Sequence, residues 1–181
     1  MKAITLKHPW AWAICYAGKR IENREWAPYK DLIGQRIAIH GGVVPEGTEL
    51  RIARQQAERI GAKFLTLEQR QTLTLADLIT PGVVCVATLT GLVRPGYRDP
   101  WYEGSAYGWK LADVIVLDEP IQIRGKQGIW QLPEDVSEQL EALRPATCHP
   151  ERPAIAERSQ FAGLCHKCAA VAAEAFDRVH S

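Results

Sequence analysis

The chain has 181 residues, with 22 Lys and Arg set against 21 Asp and Glu for a formal net charge of +1. Its 46% hydrophobic and 24% charged residues match a folded, soluble domain and exclude a disordered chain. No apolar run approaches the roughly 20 residues of a membrane span, and the near-neutral charge excludes nucleic-acid binding by bulk electrostatics, leaving only a local patch.

Weak alternation over residues 2–6 predicts a short strand. Pro9 then leads an apolar run over residues 10–17 that Gly18 closes. Proline at the start with glycine just past the end marks a helix. Residues 20–26 alternate again and read as a strand. Pro28 and the polar stretch to Gly34 read as a loop, and residues 36–40 as a strand closed by Gly41-Gly42. Across residues 45–60, Leu50, Ala53, Ala57 and Ile60 recur at helical spacing on a charged background, a surface helix with one buried stripe. A second helix is expected over residues 66–79, with Thr66 as a cap. Residues 83–89 are apolar on both faces and predict a central strand. Residues 94–110, rich in Gly, Pro, Tyr, Trp and Arg, read as a long loop of the kind that carries function. Strands return at 111–117, 121–124 and 128–132, and Pro133-Glu134-Asp135 opens a short helix. Strands interrupted by helices without a steady βαβ rhythm fit an α+β domain on a small mixed or antiparallel barrel. Composition shifts near Arg144-Pro145, dividing the chain into a domain over 1–144 and a small module over 145–181.

The stretch from Met1 to Pro9 lacks a secretory apolar core, so a cytoplasmic location with reduced thiols is expected. Five cysteines are unevenly placed. Cys15 and Cys85 lie in apolar stretches, where buried free thiols belong. Cys148, Cys165 and Cys168 crowd towards the end. Cys165-x-x-Cys168 has the spacing that grips one zinc; Cys148 is the third candidate ligand and His149 the fourth, with His166 as its alternative. A CxxC pair also serves redox chemistry, and the thiols of a helical tail can be incidental. Val171, Ala172, Ala175, Phe176 and Val179 form an apolar stripe that predicts a helix. Such a helix has too little core to fold alone, so a structural zinc is the expected staple. The tail resembles short zinc-binding tails in which a Cys/His-Pro-x-Arg-Pro stretch precedes a Gly-Leu-Cys-x-x-Cys knuckle and a helix. The matching residues here are 148–153 and 163–168. Docking of a protein partner on the apolar helical face is an alternative use of the same tail.

One cluster stands out in the barrel region. Gly18-Lys19-Arg20-Ile21-Glu22-Asn23-Arg24 packs four charged side chains after a tight turn. On a strand, Glu22 and Arg24 share a face because the period is two. An acid flanked by two bases can bind a phosphate or a polar base edge, with the acid holding the cations. It can equally be a solvated strand with surface ion pairs of little energetic weight.

The spacing of Lys19, Glu22 and Arg24 resembles the Gly-x-Lys-x-x-Glu-x-Arg signature of the ASCH domain family, in the PUA-like superfamily. The first glycine is displaced, with Gly18 directly before the lysine. Lys7-His8-Pro9-Trp10-Ala11 is similar to the family's opening strand and Pro-Trp helix start, and residues 36–40 to its second core strand. Residues 107–111 and 125–130 are similar to its later blocks. The resemblance spans roughly residues 3–132. It implies a small β-barrel with flanking helices and a cleft beside the Lys-Glu-Arg motif that binds RNA or nucleotides, including modified bases. Lys19, Glu22 and Arg24 would line that cleft, with Trp10, Tyr107 and Trp109 as its aromatic wall; core packing is the competing use of each ring.

Some members of the family are amidohydrolases or ribonucleases. The amidohydrolases carry a threonine nucleophile between the lysine and the arginine, where this chain has Glu22. A carboxylate cannot take over a hydroxyl nucleophile without a change of mechanism. A hydrolase built here would instead use Glu22 as general base, with Lys19 and Arg24 as charge stabilisers. His40 is another candidate base, its plainer role being to pack at a strand end.

Overall fold

The structure is a computed structural model of the chain and describes residues 1–67, 70 and 79–143. Its elements are β1 (Lys2–Leu6), α1 (Trp10–Tyr16), β2 (Ile21–Arg24), β3 (Arg36–Gly41), α2 (Thr48–Phe64), β4 (Gly82–Val93), β5 (Tyr107–Ile121), β6 (Ile129–Gln131) and α3 (Glu134–Ala142). The strands form one mixed sheet in the order β2-β5-β4-β3-β1-β6. β1 runs parallel to β3, and the other pairs are antiparallel. The sheet curls into a half-barrel, so the architecture is α+β, with these three α-helices and a short 3-10 turn at Lys30–Leu32 among the described residues. The curl is visible in one contact. Arg24, on the β2 edge, donates through Nη2 to the Thr5 carbonyl of β1 at 3.4 Å, although three strands separate the two in the sheet order.

Local chemistry accounts for most boundaries. α1 buries Ala11, Trp12, Ala13 and Ile14 and ends where Gly18 takes a φ of 69°. The Ala13 carbonyl accepts both the Ala17 and the Lys19 N–H at 3.0 Å, which turns the chain into β2. β4 is central, as its two apolar faces predict. Cys85, Ala87 and Leu89 join the inner core with Ile4, Ile39 and Trp109, while Val83 and Val86 join the outer core under α3.

The structure departs from the sequence pattern between 94 and 124. The loop expected over 94–110 ends early, because β5 already begins at Tyr107 and pairs with both β2 and β4. The separate strands expected at 111–117 and 121–124 are one strand ending at Ile121. The ladder steps from Cys85↔Val116 to Val83↔Ile121, so β5 carries extra residues there, Pro120 among them. A proline in such a bulge owes no ladder N–H and need not end the strand. The helix expected at 45–60 forms over Thr48–Phe64. Most of the helix expected at 66–79 and all of the 145–181 module lie outside the described residues. No described helix is long and apolar enough to cross a membrane.

Candidate functional site

The α1–β2 turn and β2 bring three charges together, two of them buried. Lys19 is 2% exposed, and its Nζ donates to the Ile21 carbonyl and to Glu22 Oε2, the latter at 3.0 Å. The other carboxylate oxygen of Glu22, Oε1, lies 3.2 Å from Arg24 Nε. That second approach is a charge contact, its N–H not aligned on the oxygen. Glu22 and Arg24 therefore share a face of β2, as a period of two requires, and Lys19 reaches back from the turn to join them. One anion between two cations leaves a net positive centre, with Arg24 as its more exposed member.

Aromatic rings frame this centre unequally. Lys19 Nζ lies 5.9 Å from the centroid of the half-buried Trp10. Arg24 lies 5.6 Å from the Trp26 centroid and 5.9 Å from that of Trp109. Trp109 is fully buried, meets Trp26 edge-on at 4.9 Å, and donates its indole N–H to the Trp26 carbonyl at 3.1 Å. β2–β5 register sets Trp109 opposite Glu22 and Tyr107 opposite Arg24, which brings all four side chains to the inner face of the sheet. Tyr107 is half-buried, with the Arg94 guanidinium 4.8 Å from its centroid.

The hollow that opens beside Arg24 has a volume of about 540 Å³ and is lined by residues 23–26 and 103–105. Of the residues expected to line a cleft, Arg24 alone does so. Lys19 and Glu22 lie behind it as its support, and Trp10, Tyr107 and Trp109 are not part of the lining. The ring presented to the hollow is Trp26, 37% exposed. Its signal in the sequence was the alternation continuing from Glu22 and Arg24 to position 26. Asn23 pins the opposite wall. It donates to the Trp101 carbonyl at 2.8 Å and accepts from Glu103 N at 3.1 Å and Ser105 Oγ at 3.3 Å. Trp101 in turn stacks on Phe64 of α2 at 3.9 Å, so the wall is tied to the core. Glu25 and Glu103 add two exposed carboxylates to the lining. The residues lining the hollow thus include an indole, an arginine and two carboxylates, residue types that suit a planar ring with donors and acceptors on its edge.

Neighbouring groups have other tasks. Arg20 donates to the carbonyls of Ile14 (2.8 Å) and Lys19 (2.9 Å), and burial pushes its guanidinium below its ordinary value. Burial, reinforced by a hydrogen bond with Cys15, pushes the Cys85 thiol well above its ordinary value, so it stays neutral. Cys15 and Cys85 are both free thiols, Cys85 buried and Cys15 partly so. His40 is 2% exposed, with Nε2 2.9 Å from the Ile123 carbonyl and its ring against Trp130, outside the Arg24 hollow. Among the described residues no group of three or more His, Cys, Asp or Glu is placed to hold a metal. Cys148, His149, Cys165, His166 and Cys168 lie outside the described residues. No protein-family model matches the chain, and neither does any curated protein.

Proposed function

We propose that the chain is an ASCH-type, PUA-like domain that binds RNA or a nucleotide by seating a base in the open hollow lined by Arg24, Trp26 and residues 103–105. The supporting observation is the backing of Arg24. Glu22 holds the guanidinium from behind, and buried Lys19 holds Glu22, so the cation beside the exposed Trp26 ring is fixed before any ligand arrives. Preorganised donors lose little freedom on binding. A volume of about 540 Å³ suits a heterocycle. The binding reading is favoured over hydrolysis because both Glu22 oxygens are already engaged and neither lines the hollow. A general base must reach the proton it removes. A structural zinc in the 145–181 tail is part of the same proposal and rests on the sequence alone, on the Cys165-x-x-Cys168 spacing together with Cys148, His149 and His166.

Calorimetric titration with the four ribonucleosides and with short single-stranded RNA tests the reading. Arg24→Ala and Trp26→Ala should each weaken binding, the latter by about 1–3 kcal/mol, the usual weight of one base–aromatic stack. Wild-type affinity in both variants refutes it.

A further inference from the structure

A second hollow, of about 330 Å³, lies between the β5–β6 connection and residues 130–133. Its charge is the reverse of the first. Among the described residues, Arg124 and Lys126 line it and no carboxylate does, whereas the Arg24 hollow carries Glu25 and Glu103. The connection that presents these cations is held from within. His40 Nε2 meets the Ile123 carbonyl at 2.9 Å, and Gly125 packs so closely on His40 that an added Cβ would lie 2.6 Å from its ring. Residues 123 and 125 are clamped inward, and the exposed residues between and after them are Arg124 and Lys126. Lys126 Nζ sits 6.0 Å from the Trp130 ring, whose indole N–H is donated to Thr5 Oγ1 at 3.2 Å. Thr5 is also the residue whose carbonyl Arg24 touches, so one lining residue of each hollow contacts the same position of β1.

We infer that the Arg124–Lys126 hollow is a phosphate subsite for the backbone of a single-stranded nucleic acid whose base occupies the Arg24–Trp26 hollow. The inference rests on the base-binding reading and deepens it: the ligand is a strand and not a free nucleoside. Paired cations without a competing carboxylate suit phosphate, which every strand offers and a nucleoside lacks. A mixed lining of guanidinium, carboxylates and indole suits a base edge and face.

The test uses the full chain, a fluorescein-labelled random RNA hexamer, its DNA counterpart, and the four ribonucleosides. Arg124→Ala/Lys126→Ala alters exposed side chains only. Two phosphate contacts at about 0.7 each should flatten the slope of log K against log salt by about 1.4, with about a tenfold loss of hexamer affinity at low salt. Nucleoside binding should stay at the wild-type level, and RNA and DNA should lose affinity alike, since both carry the phosphate. Hexamer affinity and salt slope unchanged in the double variant overturn the subsite while the base hollow stands. A wild type that binds nucleosides but gains nothing from a strand does the same. A wild type that binds neither probe overturns the base-binding reading, and the subsite with it.

Discussion

Replacing Glu22 by glutamine removes the negative charge that touches both Lys19 and Arg24 while keeping the side chain's size. Lys19 is 2% exposed and Glu22 7%, so the ammonium left behind has little water to turn to. Removing one partner of a buried pair costs about 3–5 kcal/mol, most of it the stranded charge. The Ile21 carbonyl and the amide oxygen of the introduced glutamine still accept from Lys19, which places the expected loss near the lower end, about 3 kcal/mol. Urea unfolding followed by circular dichroism reads this as a fall in midpoint of about 1.5 M, taking an m-value of about 2 kcal/mol per molar. Lys19→Met in the Glu22→Gln background removes the orphaned charge and should restore most of the loss. Glu22→Gln within about 0.5 kcal/mol of wild type, or two substitutions that simply add, would show that the three groups are not a coupled buried unit.

The two neighbouring indoles should separate structure from binding. Trp109→Ala empties a fully buried position and should cost about 3–5 kcal/mol in the same unfolding assay. Trp26→Ala, at a partly exposed position, should cost far less in stability and show its effect in ligand titration. Stability should also carry an alkaline signature from Cys85. Its folded thiol ionises well above the ordinary value of 9.0, so its contribution is complete below that pH. Above about pH 9 the unfolded chain releases the thiol proton and the folded chain does not, so stability falls by up to about 1.4 kcal/mol per pH unit. Cys85→Ala should lose that component of the slope, as unfolding at about pH 8 and about pH 10 would show; equal slopes would contradict it. Protein purified without added zinc should contain about one zinc per chain by elemental analysis, and Cys165→Ser/Cys168→Ser should lose it. Metal-free wild type with an ordered tail would end the zinc proposal.

The Lys19–Glu22–Arg24 cluster was legible because its geometry is local. A glycine past α1 turns the chain, and a strand period of two puts positions 22 and 24 on one face. The central position of β4 was legible for a similar reason, since a strand buried on both faces has no polar alternation. Trp109 shows what local reading misses. Its neighbours Tyr107, Gly108 and Lys110 have the composition of a loop, yet pairing with both β2 and β4 makes them strand and carries the indole into the inner core. Gly108 is part of the reason: a Cβ there would lie 2.5 Å from Val93 and 2.8 Å from Ile21, so the glycine lets β5 sit between its neighbours. Register between strands as distant in sequence as β2 and β5 leaves no trace in composition. Trp26 falls within the strand expected over 20–26, but alternation alone does not say that it lines a hollow. The hollow is completed by the wall at 103–105, which the chain builds far away in sequence.

A crystal of the full chain soaked in mixed ribonucleosides tests the central claim most directly. The expected result is a planar base lying on Trp26 with its edge hydrogen-bonded to Arg24, and Glu22 still bridging Lys19 and Arg24 behind it. A hollow left empty at saturating concentration, or a base bound away from Arg24 and Trp26, would contradict the claim.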